Sequence, residues 1–402
     1  MDPSHLRGVA PLAFALITSF AGTAWGHGKA DDQAGIPGRA IEFPDTAERL
    51  TLAVDLHTHS VFSDGHVWPR IRVAEAIRDG LDAMAITEHL EWQPHLADIP
   101  NPDRNRSFEE AVASLPDGSD LILIAGSEIT RLEPIGHMNA VFIEDANALF
   151  QPPVPTEPYD ARAYAMAAGE WPPEAALEAA KRQDAFVFWN HSWWQRPDQK
   201  TLPTDFHLKA IREGRLQGIE IANGDTYSPE SFRLALDLNL TVIGVSDVHE
   251  LIDWDYEPYK GGHRPVNLVF AEARTAAAIR AALFEGRTAV WYRNLLLGRE
   301  RDLVPLITAS VTVADAVWRN ESSVLEVTFE NSSDASFEFE NLSSYTVTEA
   351  ATILTVPPHG QQVYRFRLDE RLPTVNLRFR VLNALSAPDM HPEVGFELAP
   401  GA

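Results

Sequence analysis

The chain has 402 residues, 45% of them hydrophobic and 23% charged, with no cysteine. This composition excludes a chain disordered throughout and a multi-span membrane protein, and the missing cysteines exclude disulfides, thiolate zinc sites and a cysteine nucleophile. Asp+Glu at 58 against Lys+Arg at 33 gives a formal charge of −25, which repels phosphate backbones and argues against a nucleic-acid partner.

Arg7 precedes a mostly apolar run from Val9 to Ala24, which closes on Ala24-Trp25-Gly26. A basic start, an apolar centre and small residues at the end form a secretory signal, here residues 1–26. The run is short for a span that needs about 20 apolar residues. The expectation is a periplasmic or secreted protein with no stable membrane span after processing. A polar linker over residues 27–49 leads into the body of the chain.

From 50 to 300, short apolar runs alternate with helical patterns. Strands are expected at Leu52–Leu56, Ala83–Thr87, Leu121–Ala125, Asn139–Ile143, Phe186–Asn190, Gly218–Ala222 and Thr241–Val245. Helices are expected at Val73–Asp79, Phe108–Ser114, Pro173–Gln183, Asp205–Glu213, Ser228–Asn239 and Thr275–Glu285. Such alternation predicts a parallel α/β sheet covered on both faces. Seven strands without a doubly wound fingerprint favour a barrel. Pro152–Pro158 reads as a loop or cap over it. From 301 to 402 the pattern turns to alternating strands, such as Val324–Phe329 and Val375–Val381, parted by turn-rich stretches. That predicts a small antiparallel β-sandwich domain.

The chemistry collects at strand ends. The first strand runs into Asp55-Leu56-His57-Thr58-His59, and residues two apart on a strand share a face. Asp64 follows in the turn Ser63-Asp64-Gly65. The second strand ends at Thr87-Glu88-His89, the third at Glu128, the fifth at Asn190-His191 and the seventh at Ser246-Asp247-Val248-His249. His137 lies just before the fourth. A single His-x-His pair is weak evidence of a metal site. Six histidines and three carboxylates at one end of a barrel are too many for one tetrahedral ion. They suit two or three divalent ions with Glu128 bridging, and imidazole with carboxylate is compatible with Zn, Mn or Fe.

Taken in order, Asp55-Leu56-His57-Thr58-His59-Ser60-Val61-Phe62-Ser63-Asp64-Gly65, Thr87-Glu88-His89, Glu128, His137, Asn190-His191 and Ser246-Asp247-Val248-His249 resemble the motif series of the PHP (polymerase and histidinol phosphatase) family of metal-dependent phosphoesterases. The resemblance covers residues from about 50 to 300. It implies a distorted (β/α)7 TIM-like barrel with a trinuclear centre. His57, His59, Glu128 and Asp247 would hold one ion, and Glu128 would bridge to a second held by His137 and His191. Asp64, His89 and His249 would hold the third. Glu88 stands where the family more often has Asp. The leader and the C-terminal β domain resemble a secreted branch of the family.

The resulting expectation is hydrolysis of a small phosphate ester, a diester rather than a monoester, by a hydroxide bridging two ions. Asp247 would take part through its ion. His263 would serve as leaving-group acid, and Arg264 would grip a phosphoryl oxygen. Trp193 and Trp194 fit packing under a loop better than a pocket wall, and Asn223 fits a hydrogen bonder behind the ligands. His66, His95, His207, His359 and His391 lack ligand neighbours in sequence. Two alternatives stand beside this reading. An amidohydrolase-type enzyme would want a lysine near the fourth strand, and none is there. A non-catalytic metal-binding scaffold would be marked by lost ligands.

Overall fold

A computed structural model describes residues 40–194, 196, 200–348 and 352–401. The expected signal segment, residues 1–26, lies outside them, as does most of the expected linker. In chain order the strands are β1 (Leu50–Asp55), β2 (Ala83–Ile86), β3 (Ile122–Ile129), β4 (Met138–Val141), β5 (Phe186–Trp189), β6 (Gly218–Asn223), β7 (Thr226–Tyr227), β8 (Thr241–Val245), β9 (Val266–Ala271), β10 (Thr288–Tyr292) and β11 (Leu295–Gly298). Then come β12 (Val311–Trp318), β13 (Val324–Asn331), β14 (Phe337–Asn341), β15 (Thr346–Val347), β16 (Ile353–Val356), β17 (Gln361–Arg367), β18 (Val375–Val381), β19 (Ala384–Leu385) and β20 (Glu393–Leu398).

The first sheet has the order β19-β11-β10-β9-β1-β2-β3-β4-β5-β6-β7, with β8 also on β6. β1, β2 and β5 are buried along nearly their whole length, as continuous apolar runs between two covered faces must be. The pairs β1–β2, β2–β3, β5–β6 and β6–β8 are parallel. β3–β4, β4–β5 and β1–β9 are antiparallel. The sheet is therefore a curled, mixed one, which corrects the expected all-parallel strand arrangement. The segment from 130 to 137 is too short for the crossover that a parallel β3–β4 pair needs.

The curl brings the carboxyl end of β8 back to that of β1. Asp247 N donates to His57 O at 2.9 Å and His59 N to Val248 O at 3.1 Å. Further down, Asn267 on β9 replaces a backbone ladder with its side chain. Its Oδ1 accepts from Gly244 N at 3.0 Å, and its Nδ2 donates to Gly244 O at 2.8 Å. Gly244 has to be glycine, because a Cβ there would meet Val290 Cγ1 at 2.1 Å.

The C-terminal strands form two four-stranded antiparallel sheets, β12-β13-β17-β15 and β16-β14-β18-β20. Their alternation is visible in β18, whose Val375, Leu377, Phe379 and Val381 point inward. These inner faces share one apolar core with Trp291, Leu296 and Leu303 of the preceding segment. β19 pairs in parallel with β11, so the far end of the chain adds a strand to the first sheet. No helix among the described residues is long and apolar enough to cross a membrane.

Candidate metal centre

The curled sheet gathers the nine expected ligand residues at one end. His57 and His59 follow β1, His89 follows β2, Glu128 lies on β3, and Asp247 and His249 follow β8. Mutual ligand-atom distances within 4.8 Å define three overlapping groups: His57, His59 and Glu128; His89, Glu128 and His137; and His59, Asp64, His89 and His249. Asp247 joins the first group through Oδ1, 3.1 Å from His57 Nε2 and 3.0 Å from His59 Nε2. His191 stands at the margin, its Nε2 3.5 Å from Glu128 Oε1 and 3.8 Å from Asp247 Oδ2.

His137 Nδ1 lies within hydrogen-bond distance of Glu128 Oε1, at 2.9 Å, but other close contacts are not ordinary hydrogen bonds. Asp64 Oδ1, Glu128 Oε2 and Asp247 Oδ1 are buried without a hydrogen-bond partner, although His249 Nε2 is 3.1 Å from the first and His89 Nδ1 is 2.7 Å from the second. His57 Nε2 and His59 Nε2 lie 3.0 Å apart. Orphaned carboxylate oxygens are costly in a protein interior. Acceptors that converge on common points, rather than donors on acceptors, fit divalent cations. The donor set of imidazole and carboxylate, without thiolate, fits Zn, Mn or Fe.

For three of the histidines the other ring nitrogen is spoken for. His57 Nδ1 lies 2.8 Å from Glu220 Oε1, and His249 Nδ1 donates to Asp247 O at 2.8 Å. His59 Nδ1 lies 3.2 Å from Ser63 Oγ, whose own hydrogen goes to Glu88 Oε2 at 2.5 Å. These partners hold the Nδ1–H tautomers and turn the Nε2 lone pairs inward. Glu88, where Asp was the commoner expectation, also accepts from Ser60 N at 3.0 Å and so ties down the loop after β1. Asn190 Nδ2 donates to Glu128 Oε1 at 2.8 Å. Asn223 Nδ2 donates to Glu220 Oε2 at 2.9 Å and to Asp247 Oδ2 at 3.1 Å. Asp247 itself adopts φ +50, a left-handed conformation that Asp tolerates better than most residues.

Without ions, the charges press on one another. Burial lowers the His59 pKa to about 3, helped by the neighbouring rings of His249 and His89. Burial would lower His57 too, but Asp247, Glu128 and Glu220 together hold it well above the usual value. Burial raises Asp64 and Asp247, yet the surrounding histidines outweigh it and hold both far below the carboxylate range.

Glu220 was missed by sequence reasoning. It sits in the apolar run Gly218-Ile219-Glu220-Ile221-Ala222, where a lone carboxylate inside an expected strand was the only signal, and the structure buries it fully. His207, read as ordinary, is buried and stacks on Trp189 at 3.9 Å.

His263 and Arg264 are not brought to the centre. Arg264 is buried, with Nε and Nη2 on Asp79 Oδ2 at 3.0 and 2.7 Å and Nη1 on Asp55 Oδ2 at 3.2 Å. Its guanidinium is committed beneath the sheet end, which corrects the expected grip on substrate. His263 stacks on Trp291 at 3.4 Å, and Nδ1 lies 2.9 Å from Arg264 O. Neither lines the cavity of about 1510 Å³ that opens on Asp64, His89, His137, His191, Asp247 and His249. Trp193 is buried at its edge, whereas Trp194 is exposed on its wall. Trp194 therefore does not pack under a loop.

A curled α/β sheet with a buried histidine–carboxylate cluster at its strand ends defines a divalent-metal-binding protein of the barrel class. Comparison with solved structures narrows this. A two-domain protein from Bacteroides vulgatus, containing a predicted PHP-like metal-dependent phosphoesterase, is 37% identical, with 90% of this chain and 100% of that chain covered and a TM-score of 0.79. The chain belongs to this PHP-like family. A candidate metal-dependent phosphoesterase from Bifidobacterium adolescentis is 21% identical over 51% of this chain and 90% of that one, at a TM-score of 0.36. A lesion-specific endonuclease from Pyrococcus furiosus is 16% identical over 62% of this chain and 59% of that one, at a TM-score of 0.39. Scores this low carry no argument about fold or activity. Residues 311–397 match a family model described as an Ig-like domain. No curated protein matches the sequence.

Proposed function

We propose that the protein is a secreted or periplasmic hydrolase that cleaves phosphate esters with the help of three divalent ions. The observation that carries this reading is the set of three buried, unpartnered carboxylate oxygens, on Asp64, Glu128 and Asp247, each facing imidazole nitrogens. His57, His59, Glu128 and Asp247 would hold one ion. Glu128, His137 and His191 would hold a second, and Asp64, His89 and His249 a third. When bound, such ions supply a strong nucleophile from water and neutralise charge on the phosphoryl oxygens.

The residues of the chain orient this centre. Glu220, Ser63 and the Asp247 carbonyl keep the proton on Nδ1 of His57, His59 and His249, so Nε2 stays available. Asn190 Nδ2 fixes the Glu128 carboxylate by donating to Oε1, which His137 Nδ1 also approaches at 2.9 Å, while Oε2 turns to His89. Burial of His57, His59 and Glu128 excludes bulk water from the floor of the site. The cavity of about 1510 Å³ supports a diester over a monoester, since it has room for two ester arms. The apolar run before Gly26 supports export.

The test compares a nitrophenyl phosphate monoester with the matching diester on Mn-loaded protein beginning at His27. Protein carrying His57→Ala and His59→Ala is the blank. Diester turnover well above the blank supports the proposal, and a monoester preference would make the protein a phosphatase. Signals equal to the blank on both esters would overturn hydrolysis of simple esters.

A further inference from the structure

The cavity wall facing the histidines is built partly by segments that carry no expected metal ligand. One is the helix Ala161–Ala168, whose N-terminus is capped by Asp160 through bonds from Arg162 N and Ala163 N at 2.9 and 3.0 Å. Tyr164 and Ala168 bury its inner face. Arg104 Nη2 donates to the Tyr164 hydroxyl at 3.0 Å. The helix is thus anchored with Met166 on the cavity side. Leu132, from the β3–β4 connection, and Trp194, three residues past His191, stand on the same wall.

These three side chains are large, apolar and in water: Leu132 is 68% exposed, Met166 57% and Trp194 53%. Scattered apolar residues on a surface mean little, but a set gathered in one concavity marks a binding surface. The Trp194 ring stands 5.1 Å from His191 and 5.7 Å from His137, edge-on to both. The apolar wall therefore begins directly at the candidate ligands. Several wall charges cancel in pairs. Arg131 contacts Glu91, and Arg196 Nη2 lies 2.7 Å from Glu133 Oε2. A polyanion would need an unpaired row of cations instead.

We infer that the site takes phosphate esters with one large aromatic arm, seated on Trp194 between Leu132 and Met166. This rests on the phosphoesterase reading and names its substrate class. It makes Trp194 and Leu132 specificity residues, positioned to hold the arm that the metal centre does not touch.

The test is calorimetric binding of two non-hydrolysable probes, naphthylmethylphosphonate and methylphosphonate, to Mn-loaded protein. Wild type should bind the naphthyl probe at least about tenfold tighter, as burial of an aromatic arm implies. Trp194→Ala should cut that ratio to within about twofold. Leu132→Asp, which places a charge on the wall, should cut it as well. Both positions are exposed, so thermal unfolding should stay near that of wild type. Equal binding of the two probes, or no binding of either, would overturn the aromatic subsite. So would a naphthyl preference that survives both substitutions. Nitrophenyl ester turnover, measured in parallel, separates the readings. Turnover without naphthyl preference sinks only the subsite, and naphthyl preference without turnover sinks only hydrolysis.

Discussion

Glu220 Oε1 lies 2.8 Å from His57 Nδ1, and both side chains are shut off from solvent. The second Glu220 oxygen accepts from His191 N at 2.6 Å and from Asn223 Nδ2 at 2.9 Å. One strand residue thus steers two candidate ligands from behind. Glu220→Gln must present an amide N–H to one of these donors. Loss of such a partner typically costs 10–100-fold in metal affinity. Competition titration with a chromophoric chelator should show a loss in about that range, and an unchanged affinity would remove Glu220 from this role.

Ion removal should destabilise the fold. Without ions, three buried carboxylate oxygens face imidazole nitrogens but make no hydrogen bond, and a ligand present at about 100 times its Kd contributes about 2.7 kcal/mol. Scanning calorimetry with and without EDTA should show a lower Tm in the chelated sample, with Mn restoring it. Identical transitions would mean that the folded protein holds no ions.

His207 should give a pH dependence separate from the metal centre. Its Nδ1 accepts from Thr204 N at 3.1 Å and its Nε2 donates to Ile135 O at 2.8 Å. Both bonds suit the neutral ring, and burial lowers the pKa from 6.5 to about 4. The unfolded chain takes up this proton near pH 6.5, and the folded chain only near pH 4. The stabilisation is therefore complete above about pH 6.5 and is lost as pH falls toward 4, to an extent of order 3 kcal/mol. Urea unfolding at pH 7.5 and pH 4.5 should show a steeper loss for wild type than for His207→Gln. Parallel losses would place the titration elsewhere.

Arg264→Met should act on stability rather than on substrate. It leaves the buried Asp55 and Asp79 carboxylates without their shared cation, and breaking such a group costs about 3–5 kcal/mol. The KM of protein that remains folded should stay within about twofold. A tenfold KM rise at unchanged stability would instead place Arg264 on the substrate.

Much of this centre was legible in the chain. His57 with His59, and Asp247 with His249, are each two residues apart at a strand end. Period-two geometry puts such pairs on one face whatever the rest of the fold does. Asn223 was legible for the same reason, placed just after a strand. Five strands of the first sheet were not: β7 and β19 are only two residues long, and β9 runs antiparallel to β1, β10 to β9 and β11 to β10, outside the parallel strand–helix rhythm. The helix Glu300–Ser310 was hidden by Pro305 in its interior, a residue that normally ends a helix.

The sequence by itself determined the alternation of strand and helix, the alternating β domain, and which nine side chains could meet at strand ends. These follow from local periodicity, which is a property of consecutive residues. Only the tertiary structure decided that Glu220 backs His57, that Arg264 turns away to Asp55 and Asp79, and that Trp194 faces open space. Each of these depends on which segment lies opposite. Curling the sheet until β8 returns to β1 sets that, and it joins residues as far apart as His57 and Glu220.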